Sequence, residues 1–205
     1  MKPFFLPLAL AASISSLAAQ PAVPTRAADV NPAKIGTTLP PIALVDVKNQ
    51  PFDLNAAVAK APAVLVFYRG GWCPFCNAQL AALAKIEPQL KTLGYQIIAV
   101  TPDSPSELSR TLGKQPLSYT LLSDSKMSAA RALGLAFRVD DETFKKYQGF
   151  GLDLEKSSGE KHHLLPVPAV YLVGKDGLLN FSYVNPNYKV RLNGDVLLAA
   201  AKAYK

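Results

Sequence analysis

The stretch Ala63-Val64-Leu65-Val66-Phe67-Tyr68-Arg69-Gly70-Gly71-Trp72-Cys73-Pro74-Phe75-Cys76 decides the architecture. Its first six residues are apolar and mostly β-preferring, the pattern of a buried strand. Its last four hold the only two cysteines of the chain, spaced C-x-x-C. From Asn77 to Leu93 the chain is rich in Ala, Leu and Gln, with apolar residues at 80, 83, 86, 90 and 93, a helical repeat. The dithiol therefore falls where a strand hands over to a helix. Unpaired backbone N–H groups and the helix dipole stabilise a thiolate at such a place. Pro74 suits the first helical turn, where its missing N–H costs nothing. Arg69, a few residues upstream, adds positive charge.

Two other uses of the cysteines fit the sequence less well. A structural disulfide gains stability with the length of the loop it closes, and a C-x-x-C loop is short. A structural zinc site takes four ligands, and the chain has no second C-x-x-C. Redox chemistry is the expectation.

Outward from this centre, the chain reads as one exported domain. Lys2 followed by the apolar run Phe4 to Leu17, with Ser16-Leu17-Ala18 as a small-x-small site, marks residues 1–18 as a signal peptide. An uncleaved N-terminal anchor is the alternative, the apolar run being short for a membrane span. In a Gram-negative cell the destination is the periplasm, an oxidising compartment. Residues 19–35, rich in Pro and Ala, read as a flexible leader, and the domain spans 36–205. The formal net charge of +7 is spread along the 205 residues without a dense Lys/Arg run, so nucleic-acid binding is not expected. Beyond the signal peptide no membrane segment is expected.

Strands are read at 42–47, 63–68, 95–100 and 117–122, alternating with helices that begin near 55, 77, 105 and 124. Strands 63–68 and 95–100, separated by a whole helix, should be parallel neighbours. Residues 140–166 break the pattern. They carry six acidic residues, four lysines and both histidines, and read as an excursion holding a short helix at 142–148. A β-hairpin over 167–184, turning at Lys175-Asp176-Gly177, and a final helix to about 203 close the chain. The fold class is α/β, a central mixed sheet flanked by helices.

This order of elements, with Trp72-Cys73-Pro74-Phe75-Cys76 after a strand and Val167-Pro168 before a hairpin, resembles the thioredoxin superfamily. Phe67 to Leu80, Leu122-Ser123-Asp124 and Leu165-Pro166-Val167-Pro168-Ala169 are similar to the peroxiredoxin-like alkyl hydroperoxide reductase/thiol-specific antioxidant (AhpC/TSA) branch. The resemblance covers about residues 36–205. It implies a thioredoxin-like fold and a thiol-dependent peroxidase, working through Cys73 and Cys76 without metal or organic cofactor. A separate thiol reductant, such as a thioredoxin-like donor, would regenerate it. Arg69, Trp72, Pro74, Phe75, Val167 and Pro168 are the expected supporting residues.

Two departures from that family stand out. Its active site reads P-x-x-x-T-x-x-C after the strand. Aligned on Phe67-Tyr68, the Pro position is Arg69, the Thr position is Cys73 and the peroxidatic position is Cys76. The arginine that polarises peroxide falls at Pro168, where thioredoxins place a cis-proline, and a cis Val167–Pro168 peptide is the expectation by that analogy. The thioredoxin pattern makes Cys73, as the more exposed thiol, the nucleophile; the peroxiredoxin alignment makes it Cys76. The substrate is accordingly a peroxide or, on the second reading, a protein disulfide. A third reading is a Sco-type copper-binding assembly protein, with His162 or His163 joining the cysteines, although those proteins use C-x-x-x-C. A redox-silent interaction module is a fourth. No carboxylate beside the cysteines is evident from the sequence.

Overall fold

The computed structural model describes residues 22–114 and 117–204. The expected signal peptide, 1–18, lies outside them, as do the first residues of the leader.

The expected central strand is β3 (Ala63–Phe67), fully buried along its length. It is flanked by β4 (Gln96–Thr101), which pairs with it in parallel, and by β8 (Ala169–Val173), which pairs antiparallel. A run buried on both faces has no reason to alternate polar and apolar residues. Outward from β4 follow β5 (Thr120–Ser123), β1 (Ala43–Val45) and β2 (Pro51–Asp53), and outward from β8 lies β9 (Leu179–Val184). The result is a seven-stranded mixed sheet ordered β2-β1-β5-β4-β3-β8-β9.

Successive residues of β3 face opposite layers. Val64 and Val66 join the layer of α2 (Pro74–Thr92), α3 (Pro105–Lys114) and α7 (Gly194–Ala203), through Leu80, Leu83, Leu90, Leu108, Leu197 and Ala201. Leu65 and Phe67 join the layer of α1 (Leu54–Lys60) and α4 (Ser128–Ala132), through Leu54, Val58, Ala129 and Ala130. Both cysteines belong to the first layer. Pro88 sits inside α2, which is one helix from Pro74 to Thr92.

The 140–166 excursion is more ordered than its composition suggests. It contains α5 (Asp141–Gly149), α6 (Leu154–Ser158) and β7 (Leu164–Pro166), the last paired antiparallel with β6 (Ala136–Arg138) in a small second sheet. Val139, Leu154 and Leu165 form a third apolar cluster there, against which Trp72 packs. The described part of the leader is also laid against the fold: Ala33 N donates to Leu133 O, Arg138 N donates to Pro24 O, and Val23 and Ala33 pack on the core.

The Val167–Pro168 peptide is trans, correcting the cis expectation. Val167 N donates to Leu135 O at 2.9 Å, extending the β6–β7 ladder, and Pro168 O accepts from Asn185 N at 3.2 Å, extending the β8–β9 ladder. The segment is thus drawn straight between two sheets, with no turn for a cis bond to make.

Candidate active site

Helix α2 begins as expected, with Cys73 at the N-cap and Pro74 at the first helical position. Cys73 O accepts from both Cys76 N and Asn77 N at 3.0 Å, so one helical turn brings the two cysteines together. The loop from β3 to α2 is fixed on several sides. Gly71 N donates to Asp103 Oδ2 at 2.6 Å, and Asn77 Nδ2 donates to Gly71 O at 2.8 Å. A side chain at Gly70 would meet the Trp72 indole, and one at Gly71 would meet Thr111 Oγ1 at 1.9 Å. Only glycine lets the loop lie this close to α3.

Both cysteines are free thiols and both are buried, Cys73 at 1% exposure and Cys76 at 0%. The expectation that exposure singles out Cys73 is thereby corrected: solvent exposure does not separate the two, but their proton affinities do. Cys73 is lowered to about 6, first by the hydrogen bond from the Cys76 thiol, then by the Cys76 backbone N–H and the charges of Arg69 and Arg191, against the opposing effect of burial. Cys76 is pushed up, chiefly by its burial and by the thiolate beside it. One negative charge is shared by two sulfurs and resides on the one at the helix start.

Two guanidinium groups supply the positive field. Arg69 is buried, donates from Nη2 to the Tyr147 hydroxyl at 2.5 Å, and lies 4.1 Å from the Tyr188 ring centroid and 5.0 Å from that of Trp72. The weakly hydrated, planar guanidinium tolerates such an aromatic cage. Arg191, in the segment before α7, donates from Nη2 to Cys76 Sγ at 3.2 Å and from Nη1 to Gln79 Oε1 at 3.0 Å. The sequence contained no signal for Arg191: it lies in no motif and reaches the site from the far end of the chain.

Asp103 is the carboxylate that sequence reading did not find. It is 2% exposed, and burial raises it to about 7 against the stabilising Gly71 N–H. A signal did exist. Parallel neighbours end side by side, so the residue just past β4 must lie next to the loop just past β3.

Of the other expected residues, Phe75 is partly exposed and meets Tyr188 edge-on at 5.8 Å. Pro74 is exposed. Trp72 contacts Tyr147 at 6.2 Å between centroids. Val167 is buried, while Pro168 lines a cleft of about 260 Å³ together with Arg69, Tyr147 and Tyr188. Neither histidine joins the two cysteines in a metal-binding cluster. His162 Nδ1 accepts from Leu164 N at 2.9 Å, which leaves the ring proton on Nε2 facing Ser125 O at 2.7 Å. Among the described residues no cluster of three or more His, Cys, Asp or Glu is placed to hold a metal ion, and no helix is long and apolar enough to cross a membrane.

A reduced dithiol at a helix start, one sulfur acidified and two guanidiniums beside the pair, defines a thiol-based oxidoreductase on a thioredoxin-like fold. Residues 35–182 match the AhpC/TSA family, and the chain belongs to it. It is 31% identical over 107 residues to peroxiredoxin Bcp of Escherichia coli, covering 52% of this chain and 67% of that one. To the chloroplastic peroxiredoxin Q of Gentiana triflora it is 29% identical over 126 residues, 62% of this chain and 58% of the other. The fold is similar to that of Xanthomonas campestris peroxiredoxin Q, with a TM-score of 0.62 at 21% identity over 80% of this chain and 90% of that one. The chain is accordingly a peroxiredoxin-like antioxidant oxidoreductase, and that reading is favoured over disulfide exchange or copper delivery.

Proposed function

We propose that Cys73 and Cys76 reduce hydroperoxides, with Cys73 attacking and Cys76 resolving. The observation that carries this assignment is the opposite displacement of the two thiols, Cys73 lowered to about 6 and Cys76 raised. The thiolate is the nucleophile, and one already formed at neutral pH needs no separate base.

Cys73 S⁻ attacks the terminal peroxide oxygen, the O–O bond breaks, and an alkoxide or hydroxide leaves and takes one proton. The sulfenic acid so formed is attacked by Cys76, whose proton departs with the hydroxyl as water while the S–S bond forms. Arg69 and Arg191 take the place of the arginine that the family alignment replaces with Pro168, stabilising charge on the thiolate and on the leaving oxygen. The cleft bordered by Arg69, Tyr147, Pro168 and Tyr188 is the entry for substrate. A dithiol donor of the thioredoxin class then reduces the disulfide and returns one proton to solvent. Export by residues 1–18, and a periplasmic site of action in a Gram-negative cell, complete the proposal; the intact mass of protein recovered from such cells tests the cleavage.

The cysteine assignment is tested by trapping. Cys76→Ser treated with one equivalent of hydrogen peroxide should carry a dimedone adduct on Cys73. An adduct on Cys76 in Cys73→Ser, with none on Cys73 in the reciprocal variant, reverses the roles.

A further inference from the structure

Beside the dithiol, bordered by neither cysteine, lies a cavity of about 10 Å³ lined by Arg69, Trp72, Asp103, Ser157, Ser158 and His163, among others. That is room for one water molecule. Three of these residues each have a buried side-chain atom without a hydrogen-bond partner among the described residues: Arg69 Nε, Asp103 Oδ1 and His163 Nδ1. Native folds leave few such atoms, because an unmade buried hydrogen bond costs about 1–3 kcal/mol.

Their capacities are complementary. Arg69 Nε only donates, and a carboxylate Asp103 Oδ1 only accepts. His163 Nε2 lies 2.7 Å from Glu155 Oε1, so the ring proton belongs to that contact and Nδ1 is left an acceptor. Phe144 stacks on the ring at 3.9 Å between centroids and fixes its plane. His162 lines the same cavity but has both nitrogens spent on the backbone. One donor and two acceptors are what a single water satisfies, and three hydrogen bonds is the usual number for a buried water.

We propose that this cavity is a binding site for one ordered water, which accepts from Arg69 Nε and donates to Asp103 Oδ1 and to His163 Nδ1. Through it His163 becomes a positioning residue for the active-site loop. It holds in place the guanidinium beside Trp72 and the carboxylate that binds Gly71 N.

The consequence read out is the ionisation of Asp103. The groups facing that carboxyl are Arg69, Gly71 N–H and Cys73 from the loop, Tyr68 at the end of β3, Thr101 of β4, Glu107 of α3 and the two cavity-lining histidines. Gly71 N–H and the Thr101 side chain already support the carboxylate, and the water supplies the hydrogen bond that Oδ1 lacks. Replacing His163 by leucine removes the acceptor that orders the water, and the carboxylate loses that bond.

The test combines a high-resolution crystal structure of the reduced protein with an infrared titration of the Asp103 carboxyl, assigned by Asp103→Asn. The expected result is one water within hydrogen-bond distance of the three named atoms. His163→Leu should move the carboxyl titration upward by about one pH unit or more, while His163→Gln, which keeps an acceptor, should stay near the wild type. A dry cavity, or a water bound to other partners, overturns the proposal. So does His163→Leu titrating like the wild type; if that variant does not fold, the wild-type water and His163→Gln decide. The site does not depend on peroxide being the oxidant, so it and the proposed function fail separately.

Discussion

Arg191 donates to the sulfur of Cys76 at 3.2 Å from a position 115 residues further along the chain. Gln79 holds the other arm of the same guanidinium. On the proposed function Arg191 does the work of the arginine that the family alignment replaces with Pro168. Arg191→Met keeps most of the stem and removes the charge. A charge-assisted hydrogen bond is worth about 1.5–3 kcal/mol, so oxidation of the reduced variant by peroxide should slow by roughly 10–100-fold. Arg191→Lys should recover part of the loss, and stopped-flow kinetics checks both.

Thiol reactivity should follow the Cys73 thiolate. Alkylation of Cys73 should rise through about pH 6 and level off well below the pH at which a free cysteine does. Cys76 should stay inert over that range, because burial raises it. Site-resolved mass spectrometry of the alkylated protein measures both.

The same displacement makes stability depend on pH. Cys73 is depressed in the folded state from 9.0 to about 6, so between those values the unfolded chain binds the extra proton. Its contribution is fully present above pH 9, declines as pH falls toward 6, and is absent below. The raised Cys76 acts in the opposite sense above its unfolded value. After allowance for solvent screening, wild type should gain on the order of 1–2 kcal/mol over Cys73→Ser between pH 6 and 9. Urea denaturation at the two pH values measures it.

Asp103 has the reverse sign. Its folded value is raised from 3.8 to about 7, so the folded state is favoured below 3.8 and that advantage is lost as pH rises through 7. Asp103→Asn retains an acceptor for Gly71 N and removes the buried charge. At pH 8 it should be more stable than wild type by roughly 1–3 kcal/mol, with the difference vanishing toward pH 4.

Gly71→Ala should destabilise the protein by about 1–3 kcal/mol, because its methyl group meets Thr111 Oγ1. Adding Thr111→Ala removes the nearest atom and should recover part of the loss, though Thr111 Cβ remains at 3.1 Å from the same position. Thermal unfolding of the single and double variants shows whether the two sites are coupled.

The sheet's centre was legible because β3, β4 and β8 are covered on both faces and so appear as unbroken apolar runs. The start of α2 was legible from Pro74 and the cysteine spacing. What escaped was built by distant pairing. β6 and β7 are three residues each, too short for a period, and their partnership spans the whole polar excursion. Arg191 owes its role to where the chain returns after β9, which no local pattern encodes. Asp103 was within reach of inference, since the parallel pairing of strands 63–68 and 95–100 already sets their carboxyl ends side by side. The cis-proline expectation came from analogy with thioredoxin and gave way to the two hydrogen-bond ladders that hold Val167 and Pro168 extended.

The most direct measurement is the second-order rate at which the reduced protein is oxidised by hydrogen peroxide, followed by the fluorescence of Trp72, the only tryptophan. A rate orders of magnitude above that of a free thiol at the same pH, falling in Cys73→Ser and in Arg191→Met, is the expected result. A rate no greater than that of a simple dithiol, unchanged by loss of Arg191, contradicts a peroxide-reducing site and leaves a protein that only exchanges disulfides.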